Sequence, residues 1–189
     1  GISGASGSIL AKRTVEMLIN KDIPVIMTCT AAARMVWQEE MDETFNAALA
    51  RWGEFPDFKY YPIGDLKAPI ASGTMPTSGM IITPCSVGTL AAIANGLSSN
   101  LLQRSADVCI KEKRKLVLVP RETPLSSIHL ENMLKVSNLG VAILPPVPAF
   151  YLKPRSVEDI VEYIVAKTID SLGLLGFMNE ELRYQRSTE

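Results

Sequence analysis

The chain opens Gly1-Ile-Ser-Gly-Ala-Ser-Gly-Ser8 and runs at once into a helical pattern. Glycines at 1, 4 and 7 allow a tight turn, and the hydroxyls of Ser3, Ser6 and Ser8 join the free N–H groups of a helix start around one point. Such a point suits an anion, because unpaired donors and the positive end of the helix dipole coincide there. The spacing is neither the GxGxxG of dinucleotide folds nor the GxxxxGK[ST] of P-loops. Pro84-Cys-Ser-Val-Gly-Thr89 repeats the arrangement, so two helix N-termini are available for one phosphorylated ligand. Arg121 and Glu122 stand side by side between Pro120 and Pro124. Glu40 closes a helical run, where a carboxylate is mildly disfavoured by the dipole. Tyr151 ends the stiff stretch Pro145-Pro-Val-Pro-Ala-Phe-Tyr, which can present its hydroxyl. Each feature has a plainer reading beside it: a Gly/Ser turn over a surface helix, a weak solvated ion pair, a solvated helix end at Lys111-Glu-Lys-Arg-Lys115, and a structural role for His129.

The elements that must position these residues follow from periodicity. Apolar residues Ile9, Leu10, Val15, Leu18 and Ile19 give an amphipathic helix over 7–20. Short buried strands are expected at 23–28, 80–83, 116–119 and 141–144, and helices at 31–40 (capped by Thr30), 42–53, 86–94, 100–113, 126–137 and 156–172. Residues 54–77, rich in Pro, Gly and aromatics, read as an irregular excursion. Buried β-branched strands alternating with helices predict a doubly wound, mainly parallel α/β sheet covered on both faces, with ligands bound outside the carboxyl ends of the strands. Residues 1–8, 28–33, 84–89, 120–124 and 145–151 all fall at such ends. A loop like the first one ordinarily follows a strand, so a strand is expected ahead of Gly1.

With 189 residues, 47% apolar, 21% charged and a net charge of −1, the chain has no electrostatic signature for nucleic acid and no apolar run long enough for a membrane span. A cytoplasmic location is the expectation. Cys29, Cys85 and Cys109 are odd in number and widely spaced, which predicts buried thiols rather than a metal site.

GISGASGS, the segment holding PCSVGTLAAIANG and VPRETP, and the later PPVPAFYLKP closely resemble the UbiX-type flavin prenyltransferases, formerly described as aromatic-acid decarboxylases. The resemblance runs from Gly1 to about residue 174. It implies a Rossmann-like (flavodoxin-like) FMN-binding domain over 1–174, followed by an oligomerisation arm over 175–189 carrying Leu175, Phe177, Met178 and Leu182. It further implies a homo-oligomer, a dodecamer in this family. The implied activity joins a dimethylallyl group from dimethylallyl monophosphate to N5 and C6 of reduced FMN, giving prenylated FMN to a UbiD-type decarboxylase. Carried over by motif, Gly4, Ala5, Ser6, Thr30, Ser86, Val87, Gly88, Thr89 and Arg121 would bind FMN. Lys111, Tyr151 and Lys167, joined by Arg104, would hold the prenyl phosphate between subunits. Ser6, Glu40 and Glu122 match the catalytic positions, and no metal is implied. Lys167 stands where the family has Arg, and Tyr184 where many relatives have Trp. Two alternatives stand beside this reading: an FMN-dependent decarboxylase of the cysteine-decarboxylase type, which would want a PASANT-like loop and an early His, and a non-catalytic FMN carrier.

Overall fold

The computed structural model describes residues 1–174, 176–179 and 182–183. In chain order the elements are α1 (Ser8–Ile19), β1 (Val25–Met27), α2 (Ala31–Glu40), α3 (Phe45–Trp52), β2 (Phe58–Tyr60), β3 (Gly79–Cys85), α4 (Val87–Ala94), α5 (Leu101–Lys111), β4 (Lys115–Pro120), α6 (Ser127–Ser137), β5 (Ala142–Ile143) and α7 (Val157–Ser171). Local chemistry sets most helix starts. Thr30, Thr44, Ser86, Asn100, Ser126 and Ser156 each accept a hydrogen bond from the backbone N–H of the third residue of their helices. Ser126 and Ser156 complete capping boxes with His129 and Asp159, so His129 has a structural task. The exception is α1, whose cap position is Gly7 at φ 115, a left-handed conformation that suits glycine and brings no side-chain cap.

All pairings are parallel. β1 pairs with β2, and separately β3 pairs with β4 and β4 with β5. Side chains alternate along the strands: Ile82, Leu116 and Leu118 pack with α4, α5 and α6, while Ile81, Val117 and Val119 pack with α1 and α7 on the other face. A third cluster, centred on the fully buried Trp37, ties α2 and α3 to β1 and β2; its ring meets Phe45 and Trp52 edge-on at centroid distances of 5.3 and 5.8 Å. Helices on both faces of parallel strands are the flavodoxin-like arrangement expected from the sequence.

Three expectations about helices and strands are corrected. Residues 54–77 are not wholly irregular, because Phe58–Tyr60 forms β2 and Pro69–Ala71 a 3₁₀ turn. The strand begun at residue 79 continues through Pro84 to Cys85, and the third helix starts at Phe45 behind Thr44 rather than at Asp42. Of the expected arm, Leu175 and Tyr184 lie outside the described residues, while Phe177 is buried and, with Met178 and Leu182, packs against the chain's own α1–α7 core. All three cysteines are buried and free, as expected.

Candidate active site

The first loop is tied into the carboxyl edge of the sheet from both sides. Ser3 N–H donates to Pro84 O at 3.1 Å, and the Ser3 hydroxyl accepts from Ser86 N–H at 2.7 Å. Thr30 N–H donates to Ile2 O at 3.0 Å, and Arg121 N–H donates to Cys85 O at 3.2 Å. The structure thereby gathers Gly4, Ala5, Ser6, Thr30, Ser86–Thr89, Arg121 and Glu122 at adjacent strand ends. Gly4 fits because of its size: a Cβ there would stand 2.4 Å from the Cβ of Ala32, so the loop touches α2 directly.

The α1 N-terminus, expected to hold a ligand anion, already holds an anion of the chain. Glu40, the last residue of α2, accepts from Ser8 N–H at 2.7 Å and from Gly7 N–H at 3.0 Å. This corrects the simple phosphate reading of the first loop and explains a carboxylate at a helix C-terminus: it is the cap α1 lacks. Burial alone would raise the Glu40 carboxyl. Hydrogen bonds from the Ser6 side chain and from the Ser8 and Gly7 backbone outweigh it and hold the group below the ordinary carboxylate value. Glu40 is therefore ionised at neutral pH and linked to Ser6.

The α4 N-terminus stays open to a ligand. Ser86 Oγ accepts from Thr89 N–H at 3.2 Å and lies 3.1 Å from the Thr89 hydroxyl, and the N–H groups of Val87 and Gly88 have no intrahelical acceptor by the geometry of a first turn. Nothing stands within 4 Å of where a Cβ on Gly88 would be. Close by, Arg121 has a buried Nε with no hydrogen-bond partner among the described residues. A buried, unpaired guanidinium nitrogen is costly on its own and is what an anionic ligand would satisfy. These residues fit the phosphate of FMN. Glu122 is exposed, and its Oε1 accepts from Thr123 N–H at 3.0 Å.

The second set of residues is not assembled within one chain. Tyr151 is half-exposed and hydrogen-bonded to Tyr163 on α7, and Lys167 follows one turn later on the same side of that helix, 3.6 Å from Asp170. Lys111 ends α5 just before β4 begins, and Lys115 pairs with Gly79 at the start of β3. Lys111 therefore stands at the amino end of the sheet, opposite the loops, paired with Glu112. Arg104 is engaged with Asp107 at 2.7 Å and with Ala71 O at 3.0 Å. The sequence had not indicated Arg114, which holds the excursion by donating to Met75 O at 2.7 Å and also bonds Gly73 O. No cluster of acidic, His or Cys side chains able to hold a metal occurs among the described residues.

Phosphate-ready loops at the carboxyl edge of a helix-covered parallel sheet define the nucleotide- and flavin-binding class of α/β proteins. The chain belongs to the Flavoprotein family, which matches residues 1–169, and within it to the flavin prenyltransferases of UbiX type. It is 46% identical to the flavin prenyltransferase UbiX of Alkalihalophilus pseudofirmus over 179 residues, covering 92% of this chain and 90% of the relative. It is 43% identical to the UbiX of Pseudomonas aeruginosa over 182 residues, covering 92% of this chain and 87% of that one. Among solved structures, AnUbiX (PadA1) in complex with FMN and dimethylallyl pyrophosphate superposes with a TM-score of 0.91 at 37% identity, covering 100% of this chain and 96% of that chain. A dodecameric FMN-dependent UbiX-like decarboxylase from Escherichia coli O157:H7 gives 0.89 at 39% identity, with 98% of each chain covered.

Proposed function

We propose that this chain is a flavin prenyltransferase that joins a dimethylallyl group from dimethylallyl monophosphate to N5 and C6 of reduced FMN, with the product passing to a UbiD-type decarboxylase. The observation that carries the reading is the linked set Ser6–Glu40, the open α4 N-terminus and the unpaired Nε of Arg121 at one sheet edge, in a chain 37% identical to one solved with FMN and dimethylallyl pyrophosphate. Gly4 to Ser6, Thr30, Ser86 to Thr89 and Arg121 would hold FMN, which when reduced supplies the nucleophilic nitrogen and carbon.

The chain's own residues then act on the prenyl donor. The allylic C–O bond breaks with its electron pair leaving on phosphate, so the cations Lys111, Lys167 and Arg104 and the Tyr151 phenol would stabilise the leaving group. Glu40, held ionised, would accept or relay a proton released at N5, with Ser6 as its hydrogen-bonded intermediary. Glu122 would orient the phosphate's cationic ligands. Because Lys111 lies at the far end of the sheet, its part requires another copy of the chain. Exposed Ile128, Leu130 and Leu134 on α6 give apolar surface for such an assembly. No helix among the described residues is long and apolar enough to cross a membrane, and three free buried thiols agree with a reducing, cytoplasmic setting.

The test is mass spectrometry of the flavin after anaerobic incubation with reduced FMN and dimethylallyl monophosphate. A flavin heavier by one prenyl unit is expected. Unchanged flavin that is demonstrably bound would instead favour a carrier or a flavin-dependent decarboxylase.

A further inference from the structure

The exit of α5 is fixed by its own backbone. Arg114 N–H donates to Cys109 O at 2.8 Å and Lys113 N–H to Ile110 O at 3.1 Å, with Lys113 in the left-handed region at φ 55. Glu112 N–H closes the last turn on Val108 O at 3.0 Å. This paired closure ends the helix firmly and sets the backbone of Lys111 and Glu112.

The facing loop, residues 71–77, is fixed as well. Arg104 Nε donates to Ala71 O at 3.0 Å, and the two terminal nitrogens of Arg114 donate to Gly73 O and, at 2.7 Å, to Met75 O. Within the loop Met75 N–H donates to Ser72 O at 3.3 Å, and the Ser72 and Thr74 hydroxyls lie 2.8 Å apart. Alternate carbonyls are thus held by guanidinium groups, whose planar forks hold their acceptors in place.

Gly73 stands between these two fixed backbones. It does not adopt the left-handed region, so space alone demands glycine here. A Cβ would fall 2.7 Å from Lys111 Nζ and closer still to Glu112 Oε1, well inside ordinary contact distance. Those two atoms are the tips of flexible side chains paired with each other. Lys111 also keeps the Glu112 carboxyl below its ordinary value, so the pair persists at neutral pH. A side chain at 73 therefore moves the tips, while the clamped loop and the helix exit stay.

We propose that Gly73 is a positioning residue: the room it leaves, held in place by Arg114, seats the Lys111 ammonium where it meets the phosphate of the prenyl donor. This rests on the reading of Lys111 as a ligand of that phosphate. The phosphate belongs to a site completed by another copy of the chain, so the seat sets how far one subunit reaches into its neighbour's chemistry.

The test is Gly73→Ala in the full chain loaded with FMN. Calorimetry with dimethylallyl monophosphate should show about 10-fold weaker binding, the size of one misplaced charge-assisted contact. FMN affinity should be unchanged and the unfolding midpoint within about 2 °C of the wild type, because only side-chain tips move. A crystal structure should show Lys111 Nζ displaced and residues 71–75 in place. In a Lys111→Ala background the same substitution should weaken the donor no further. An unmoved Lys111, or a full further loss in that background, would overturn the proposal. So would wild-type donor affinity in Gly73→Ala beside a weakened Lys111→Ala, which removes the seat and leaves the ligand. If Lys111→Ala alone binds the donor as the wild type does, the assignment of Lys111 to the phosphate fails and the seat falls with it.

Discussion

Glu40 Oε2 lies 2.7 Å from the backbone nitrogen of Ser8, so the last residue of α2 caps the first turn of α1. Capping from another helix couples the orientation of α2 to the conformation of the glycine loop, and both meet at Gly4 and Ala32. Replacing Glu40 with Ala leaves two N–H groups unpaired and should cost about 1 kcal/mol of stability, measurable by denaturant unfolding. Glu40→Gln retains an acceptor but no charge. It should bind FMN and form prenylated flavin on the order of 100-fold more slowly; a wild-type rate would sink the assigned role.

The acid side of loop stability follows from the same carboxylate. Its folded pKa is depressed relative to the ordinary 4.5, so its contribution is complete above that value and is lost as the pH falls through the lower folded value. Flavin affinity should therefore stay level from pH 8 to pH 5 as far as Glu40 governs it, and decline only in stronger acid. Fluorescence titration of FMN across that range reads it.

Arg121 offers a buried Nε without a partner. Arg121→Ala should weaken FMN by about 10- to 100-fold, the size of a charge-assisted hydrogen bond. Arg121→Lys should recover part of the loss, because charge returns without the fork. Calorimetry with oxidised FMN separates this from any effect on turnover.

Lys167 stands half-exposed near Asp170. If it holds a monophosphate, Lys167→Arg should lower KM for the prenyl donor several-fold through bidentate contact, with flavin affinity unchanged. A fall in flavin affinity instead would place Lys167 elsewhere in the chemistry.

Much of this architecture was legible in the residues. Thr30, Ser86, Asn100, Ser126 and Ser156 mark helix starts because a short side-chain acceptor can satisfy orphan N–H groups locally. The central strands were legible because alternation with helices leaves them apolar on both faces. β2 was hidden: three residues, Phe58, Lys59 and Tyr60, are too few to show a period among prolines and glycines. The Glu40 cap was hidden for another reason. It joins residues 32 positions apart, and local spacing carries no information about which helix end a carboxylate will meet. The positions of Lys111 and Arg114 likewise depend on how α5 lies against the excursion.

Lys111 sits at one end of the strands and Glu40 at the other. If both serve one reaction, ownership of a catalytic centre is divided, and the functional unit is a junction between neighbours rather than a polypeptide. Mixing two impaired proteins, Lys111→Ala and Glu40→Gln, would then rebuild some junctions with both groups intact. The revived fraction would follow the random reshuffling of subunits, turning a fixed distance within the fold into a count of how chains share their work.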